Sequence, residues 1–122
     1  MMKFRLLLFI IHRKLKKAAS ADDRFKSFIQ NKKLKITIKT SDSRQGRRYT
    51  FDNGKISSAV GTTKECDAAM VWCDANTAFK VMSSGNEEAS VAALTEHKLQ
   101  IEGNYKEFMW FSRALDIMMG KA

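Results

Sequence analysis

On a helix, Phe4, Leu7, Leu8, Ile11 and Leu15 fall at i, i+3, i+4, i+7 and i+11, so the opening segment reads as an amphipathic helix with one apolar stripe. Leu6, Phe9 and Ile10 widen that surface beyond what one core contact requires, and a run of His12, Arg13, Lys14, Lys16 and Lys17 follows. Ser20 is expected to cap a second short helix, with Asp22 and Asp23 in its first turn, Ala21, Phe25, Phe28 and Ile29 as its buried stripe and Asn31 as its stop. The period then changes to two. Leu34, Ile36 and Ile38 alternate with Lys35, Thr37 and Lys39, which predicts a half-buried strand. The polar cluster Ser41 to Gly46 predicts a loop, and Arg47 to Asp52 resumes the alternation. Asn53-Gly54 suits a two-residue type I′ turn, where both central residues take positive φ. Such a turn pairs Asp52 with Lys55 and Phe51 with Ile56. It puts Tyr49, Phe51, Ile56 and Ser58 on one face, in a third strand running to about Val60.

Asp67 to Cys73 is apolar on both faces and predicts a strand inside the sheet. Asp74 is placed to cap a helix carrying Ala75, Ala78, Phe79 and Met82, closed by Ser83-Ser84-Gly85. Asn86, Glu87 and Glu88 open another short helix through Val91, Ala92 and Leu94, and Leu99 and Ile101 mark a last strand. After Gly103, Asn104 and Glu107 have the spacing of a capping box. The final helix then carries a stripe of Phe108, Phe111, Leu115 and Met118, while Met109, Trp110, Ala114, Ile117 and Met119 leave it little polar surface. A helix of that kind is enclosed, meets a partner, or lines a cavity with an apolar occupant, and flexible methionines suit variable contents.

The chain of 122 residues supports one hydrophobic core, with no proline, repeat or low-complexity linker to mark a second unit. The expected division is a basic helix over 1–19 followed by one domain over 20–122. The net charge of +9 lies entirely at the amino-terminal end. Residues 1–35 hold eleven basic side chains against Asp22 and Asp23, and the remainder balances at eleven of each sign. The uninterrupted apolar run from Leu6 to Ile11 is six residues, far short of the ~20 a membrane-spanning helix needs. Basic residues, not a small-residue cleavage site, follow it, so a cytoplasmic location is expected. Cys66 and Cys73 would lie about 23 Å apart on an extended segment, too far for a disulfide.

Two segments carry a family resemblance. Asp67-Ala68-Ala69-Met70-Val71-Trp72-Cys73-Asp74 resembles the strand-to-helix junction of the sterol carrier protein 2 (SCP2) family, and Lys98-Leu99-Gln100-Ile101-Glu102-Gly103-Asn104 is similar to its second strand-to-helix signature. Phe51-Asp52-Asn53-Gly54-Lys55-Ile56 adds a hairpin that many proteins share. The likeness covers roughly residues 20–120 and departs at His97, where the family usually has glycine. It implies an α+β fold: a five-stranded, mainly antiparallel sheet with helices packed on one face, enclosing an apolar tunnel. It also implies non-catalytic binding of a lipid or isoprenoid-type molecule without a cofactor; small relatives include accessory factors of isoprenoid quinone synthesis. The tunnel wall would comprise Tyr49, Phe51, Ile56, Met70, Trp72, Phe79, Leu94, Phe108, Phe111, Leu115 and Met118. The ending Met119-Gly120-Lys121-Ala122 is not a peroxisomal Ser-Lys-Leu type address, which fits a bacterial-type cytoplasmic member.

The first helix has several readings. Phe4, Leu7, Leu8 and Ile11 with Arg13, Lys14, Lys16 and Lys17 can dock peripherally on the inner, anionic membrane face. The same residues can pack on their own domain, on a second copy in a homodimer, or on a protein partner. Nucleic acid is the rival partner for the basic third, with Tyr49 and Phe51 as stacking platforms, although phosphate contact does not require the wide apolar face. Catalysis and metal binding find little support. His12 and His97 have no companions at ligand spacing, no phosphate loop or nucleophile elbow is present, and Cys66 sits between Glu65 and Asp67 rather than beside cations.

Overall fold

Nothing in Ala18-Ala19-Ser20-Ala21 breaks a helix, and α1 continues through them, covering Met2–Ala21. A computed structural model of the chain describes residues 2–62 and 65–120, with Met2 and Glu87 described by backbone alone; the reading of the Lys121-Ala122 ending lies outside the described residues. Ser20, expected as a cap, lies in the last turn of α1 and donates its hydroxyl to the Lys17 carbonyl at 3.0 Å. The cap of α2 (Asp23–Ile29) is instead Asp22, whose carboxylate accepts from the backbone N–H groups of Arg24 and Phe25. A carboxylate satisfies two orphaned donors there and favours the positive end of the helix dipole. Phe25 and Ile29 are buried as expected, whereas Ala21 is exposed because it still belongs to α1.

The sheet has five strands in the order β3-β2-β1-β4-β5: β1 Lys33–Thr40, β2 Gly46–Asp52, β3 Lys55–Val60, β4 Ala68–Trp72 and β5 Leu99–Gly103. Only β1 and β4 run parallel; the other three pairings are antiparallel. The hairpin register is the one its turn dictates, Asp52 opposite Lys55 and Phe51 opposite Ile56, with φ of 48° at Asn53 and 92° at Gly54. Strand β4 is buried along its whole length, in keeping with its place between β1 and β5. The helices cover one face of the sheet, formed by Leu34, Ile36, Ile38, Tyr49, Phe51, Ile56, Ala68, Met70, Trp72 and Leu99.

Helix α3 (Ala75–Ser84) starts at the Asp74 carboxylate, which accepts from Thr77 N–H at 2.7 Å, and ends at Gly85 with φ of 64°. Those bonds to Thr77 hold the Asp74 carboxyl below its ordinary range. Helix α4 (Glu87–Thr95) buries Ala93 and leaves Val91 exposed. Its end explains His97. Lys98 N–H bonds to the Ala93 carbonyl at 2.8 Å and His97 N–H to the Leu94 carbonyl at 3.2 Å, a Schellman closure that places His97 at φ 61°. Histidine therefore occupies the left-handed position that a glycine would take without strain. Helix α5 (Tyr105–Met118) is capped by Asn104, but Glu107 leaves the capping box and pairs with Lys32 at 2.7 Å. Its buried stripe is Phe108, Phe111, Ala114 and Ile117; Leu115 and Met118 are half-buried, and Tyr105 and Met109 are exposed.

Candidate functional site

Alternation along each strand sends every second side chain toward the helices; α1 lies over β2 and β3, α5 over β1, β4 and β5, α3 over β4 and α4 over β5, with α2 packed on α1 and α5. Of the residues expected to line a tunnel, Tyr49, Phe51, Ile56, Met70, Trp72, Phe108 and Phe111 are buried in one apolar cluster, with Leu94, Leu115 and Met118 half-buried against it. Phe79 is not part of that cluster; its half-buried ring faces α1, with Lys3 Nζ 5.9 Å from its centroid. The cluster also holds Leu34, Ile36 and Ile38 of β1 and Phe4, Leu8, Ile11 and Leu15 of α1.

The two ends of this layer differ chemically. Beneath α5 and beside α2 it is aromatic: Phe51 meets Trp110 edge-on at 5.0 Å and Phe111 at 6.0 Å, and Phe28 stacks on Trp110 at 5.0 Å. Lys32 closes that side, with its ammonium on Glu107 and 5.2 Å from the Trp110 centroid. Toward β4 and β5 the half-buried residues are non-aromatic, Val81, Met82, Leu94, Ile101, Leu115 and Met118, two of them methionines. Unbranched thioethers repack at little cost, whereas interlocked rings do not. The described residues form a continuous apolar layer between the sheet and the helices.

Tyr49 and Trp72 carry polar groups into the layer. The Tyr49 hydroxyl donates to the Leu8 carbonyl at 2.6 Å, tying β2 to α1, and burial pushes the phenol well above its ordinary pKa despite Arg47 nearby. The indole N–H of Trp72, in a side chain 1% exposed, has no acceptor among the described residues. An unsatisfied buried donor is rare enough to need an explanation.

In α1 the stripe of Phe4, Leu8 and Ile11 is buried against the sheet and Leu7 is half-buried. These residues therefore serve the chain's own core in this conformation. The apolar side chains that α1 presents outward are Leu6, Phe9 and Ile10, 56, 42 and 38% exposed, and Arg13, Lys14, Lys16 and Lys17 are exposed as well. Tyr49 and Phe51 are buried, so neither presents a stacking platform for nucleic-acid bases. No described helix is long and apolar enough to cross a membrane, and no group of three or more His, Cys, Asp or Glu among the described residues could hold a metal ion.

The arrangement of helices on one face of this strand order has solved counterparts. The UbiJ-SCP2 ubiquinone synthesis protein superposes with a TM-score of 0.68 at 11% identity, over 95% of this chain and 93% of its own. The chain has the sterol carrier protein 2 fold. The apo form of sterol carrier protein 2 from Yarrowia lipolytica matches at TM-score 0.56 and 14% identity, over 89% of this chain and 87% of its own. Palmitated SCP2L2 from Aedes aegypti matches at 0.51 and 14%, over 88% and 90%. No family model matches the sequence, and no curated protein matches it. The SCP2-like architecture is thus shared at 11–14% sequence identity.

Sequence reasoning missed two parts of the site. The Lys32, Glu107 and Trp110 closure joins positions 75 residues apart, and nothing local signals that pairing. The β1 contribution was legible, since Leu34, Ile36 and Ile38 alternate as clearly as Tyr49 and Phe51.

Proposed function

We propose that this SCP2-fold chain is a non-catalytic carrier for a long-chain lipid or isoprenoid-type molecule, held between the inner face of the sheet and helices α3, α4 and α5. The carrying observation is the half-buried, methionine-bearing end of the apolar layer, Met82, Leu94, Ile101, Leu115 and Met118, adjoining buried Met70 and Trp72. A lipid tail entering there displaces repackable side chains, gaining about 0.8 kcal/mol per buried methylene before ordering costs. The unpartnered Trp72 N–H offers a donor to an oxygen on the guest. A palmitate-bearing neighbour with the same fold supports this reading. Tyr49, Phe51, Ile56, Phe108 and Phe111 form the fixed wall in this account, and Phe79 stands outside it.

Peripheral docking on the anionic inner membrane surface belongs to the same proposal, through Leu6, Phe9 and Ile10 with the lysines and arginines of α1. A cytoplasmic location follows from it. Displacement of a fluorescent fatty acid tests the interior. Saturable binding that Leu115→Trp or Met118→Trp weakens at unchanged melting temperature supports it; probe binding unaffected by either variant counts against it. Co-sedimentation with phosphatidylglycerol vesicles, lost in a Leu6→Ser, Phe9→Ser, Ile10→Ser variant, tests docking.

A further inference from the structure

A recess of about 300 Å³ opens where α1 passes the start of β2, and three arginines from three separate segments line it: Arg5 of α1, Arg44 of the loop before β2, and Arg47 of β2 itself. Among the described residues none of its lining side chains is acidic. Asp42 in the same loop does not line it; its Oδ1 is engaged by the Thr40 hydroxyl at 2.6 Å and Arg44 N–H at 3.0 Å. The apolar part of the lining is Leu8 and Val60. Cationic rim and apolar floor together fit neither a free ion nor a neutral oil, but an amphiphile with an anionic head.

The register of the sheet connects this recess to the apolar layer. Arg47 pairs with Ile38 on β1, and Ile38 pairs in turn with Met70 on β4, so the three lie in one row on the inner face. Two strand spacings, about 10 Å, separate Arg47 from Met70. Arg47 is itself held in place, donating to Ser58 Oγ at 2.7 Å with its guanidinium 5.6 Å from the Phe9 ring. Ser58 also bonds His12 Nδ1 at 2.7 Å. The positive field extends that far: the His12 pKa is lowered, by burial first and then by Arg47 and Lys16.

The recess walls are built closely. Gly46 allows the backbones of β1 and of Gly61 to approach, since a Cβ there would lie 2.9 Å from the Ile38 and Gly61 carbonyl oxygens. Thr62 Oγ1 donates to the Ser43 carbonyl at 3.1 Å, and Gly61 N–H to the Gly46 carbonyl at 3.0 Å. Gln45 completes the wall with a side-chain Oε1 that is shielded from solvent and without a partner among the described residues. Rotating that amide presents an N–H donor at the same point.

We propose that Arg5, Arg44 and Arg47 form a headgroup site for an anionic amphiphile, a phosphate monoester or carboxylate, whose tail runs across Ile38 toward Met70 and Trp72. This rests on the interior lipid-binding reading and narrows it to acidic lipids. Guanidinium forks match both oxyanions. The position is also consistent with loading at a membrane surface, because Phe9, which packs on Arg47, is exposed beside Leu6 and Ile10.

Titration of the full chain with dodecyl phosphate, monolauroylglycerol, inorganic phosphate and a short oligothymidylate tests the proposal. Dodecyl phosphate is expected to bind at least about tenfold more tightly than the neutral glyceride, as charge-assisted hydrogen bonds would give. Arg5→Gln and Arg44→Gln alter exposed side chains. Each should weaken dodecyl phosphate roughly three- to tenfold while leaving the glyceride and the melting temperature unchanged. Equal binding of the two amphiphiles, indifferent to both substitutions, overturns the headgroup site and leaves the interior reading standing. Binding of neither overturns both. Inorganic phosphate binding as tightly as dodecyl phosphate makes this a free-anion site and overturns the lipid assignment. Oligothymidylate displacing dodecyl phosphate with a steep salt dependence assigns the recess to nucleic acid and overturns it too.

Discussion

Replacing Gly103 with alanine tests the junction that sets α5 over the sheet. Gly103 ends β5 opposite Ala68 with φ of 81°, and Asn104 beside it donates its N–H to the Asp67 carbonyl at 2.9 Å while capping α5. A Cβ on Gly103 would lie 2.5 Å from the Asp67 carbonyl oxygen and 3.1 Å from Ala68 Cα, both backbone atoms. Left-handed backbone costs a residue bearing a Cβ about 1–2 kcal/mol. Relieving the collision pushes the end of β5 away from Asp67, losing a hydrogen bond and straining packed neighbours, about 2–4 kcal/mol more. The total, about 3–6 kcal/mol, should lower the melting temperature by at least about 10 °C in a chain of this size. Gly120→Ala is the control, because Gly120 has φ of 76° but nothing within 4 Å of its added Cβ. It should lose only the backbone component, about 1–2 kcal/mol. Urea unfolding followed by circular dichroism measures both. Equal losses in the two variants would refute the steric reasoning.

Three further outcomes are expected. Tyr49→Phe removes the bond to the Leu8 carbonyl and should cost about 1 kcal/mol in urea unfolding; no loss would show that the bond does not couple β2 to α1. His97→Gly relieves the φ of 61° and should stabilise by about 0.5–1 kcal/mol, the relief of strain less the added unfolded-chain entropy; a destabilised variant contradicts the strained closure. His12 binds its proton more weakly folded than unfolded, so its contribution is complete above the unfolded pKa of about 6.5 and is lost as pH falls through the lower folded value. Stability should therefore drop as pH falls below about 6.5, and His12→Asn should flatten that slope; an unchanged slope assigns it to other groups.

Much of the fold was legible because local chemistry and tertiary position agree. The Asn53-Gly54 turn fixed the β2–β3 register, and Asp74 and Gly85 marked the ends of α3. The apolar run from Ala68 to Trp72 announced an interior strand, and β4 is one. Where two local signals competed, prediction slipped. Ser20 and Asp22 are both good caps, and only the continuity of α1 decides between them. The stripe of α1 is legible in the sequence, but its destination depends on what it covers: Phe4, Leu8, Ile11 and Leu15 seal the sheet, and Leu6, Phe9 and Ile10 are left outside. Glu107 has capping-box spacing, yet a lysine from the α2–β1 connection offers a charge-assisted partner instead. The arginine recess was invisible in sequence, because Arg5 and Arg47 come together only when α1 lies across β2.

Native mass spectrometry of the purified chain tests the lipid-carrier proposal most directly. It should show the polypeptide of 13.9 kDa with one lipid mass bound, released on denaturation and replaceable by added dodecyl phosphate. Bare polypeptide alone, still bare after incubation with long-chain lipids, would contradict it.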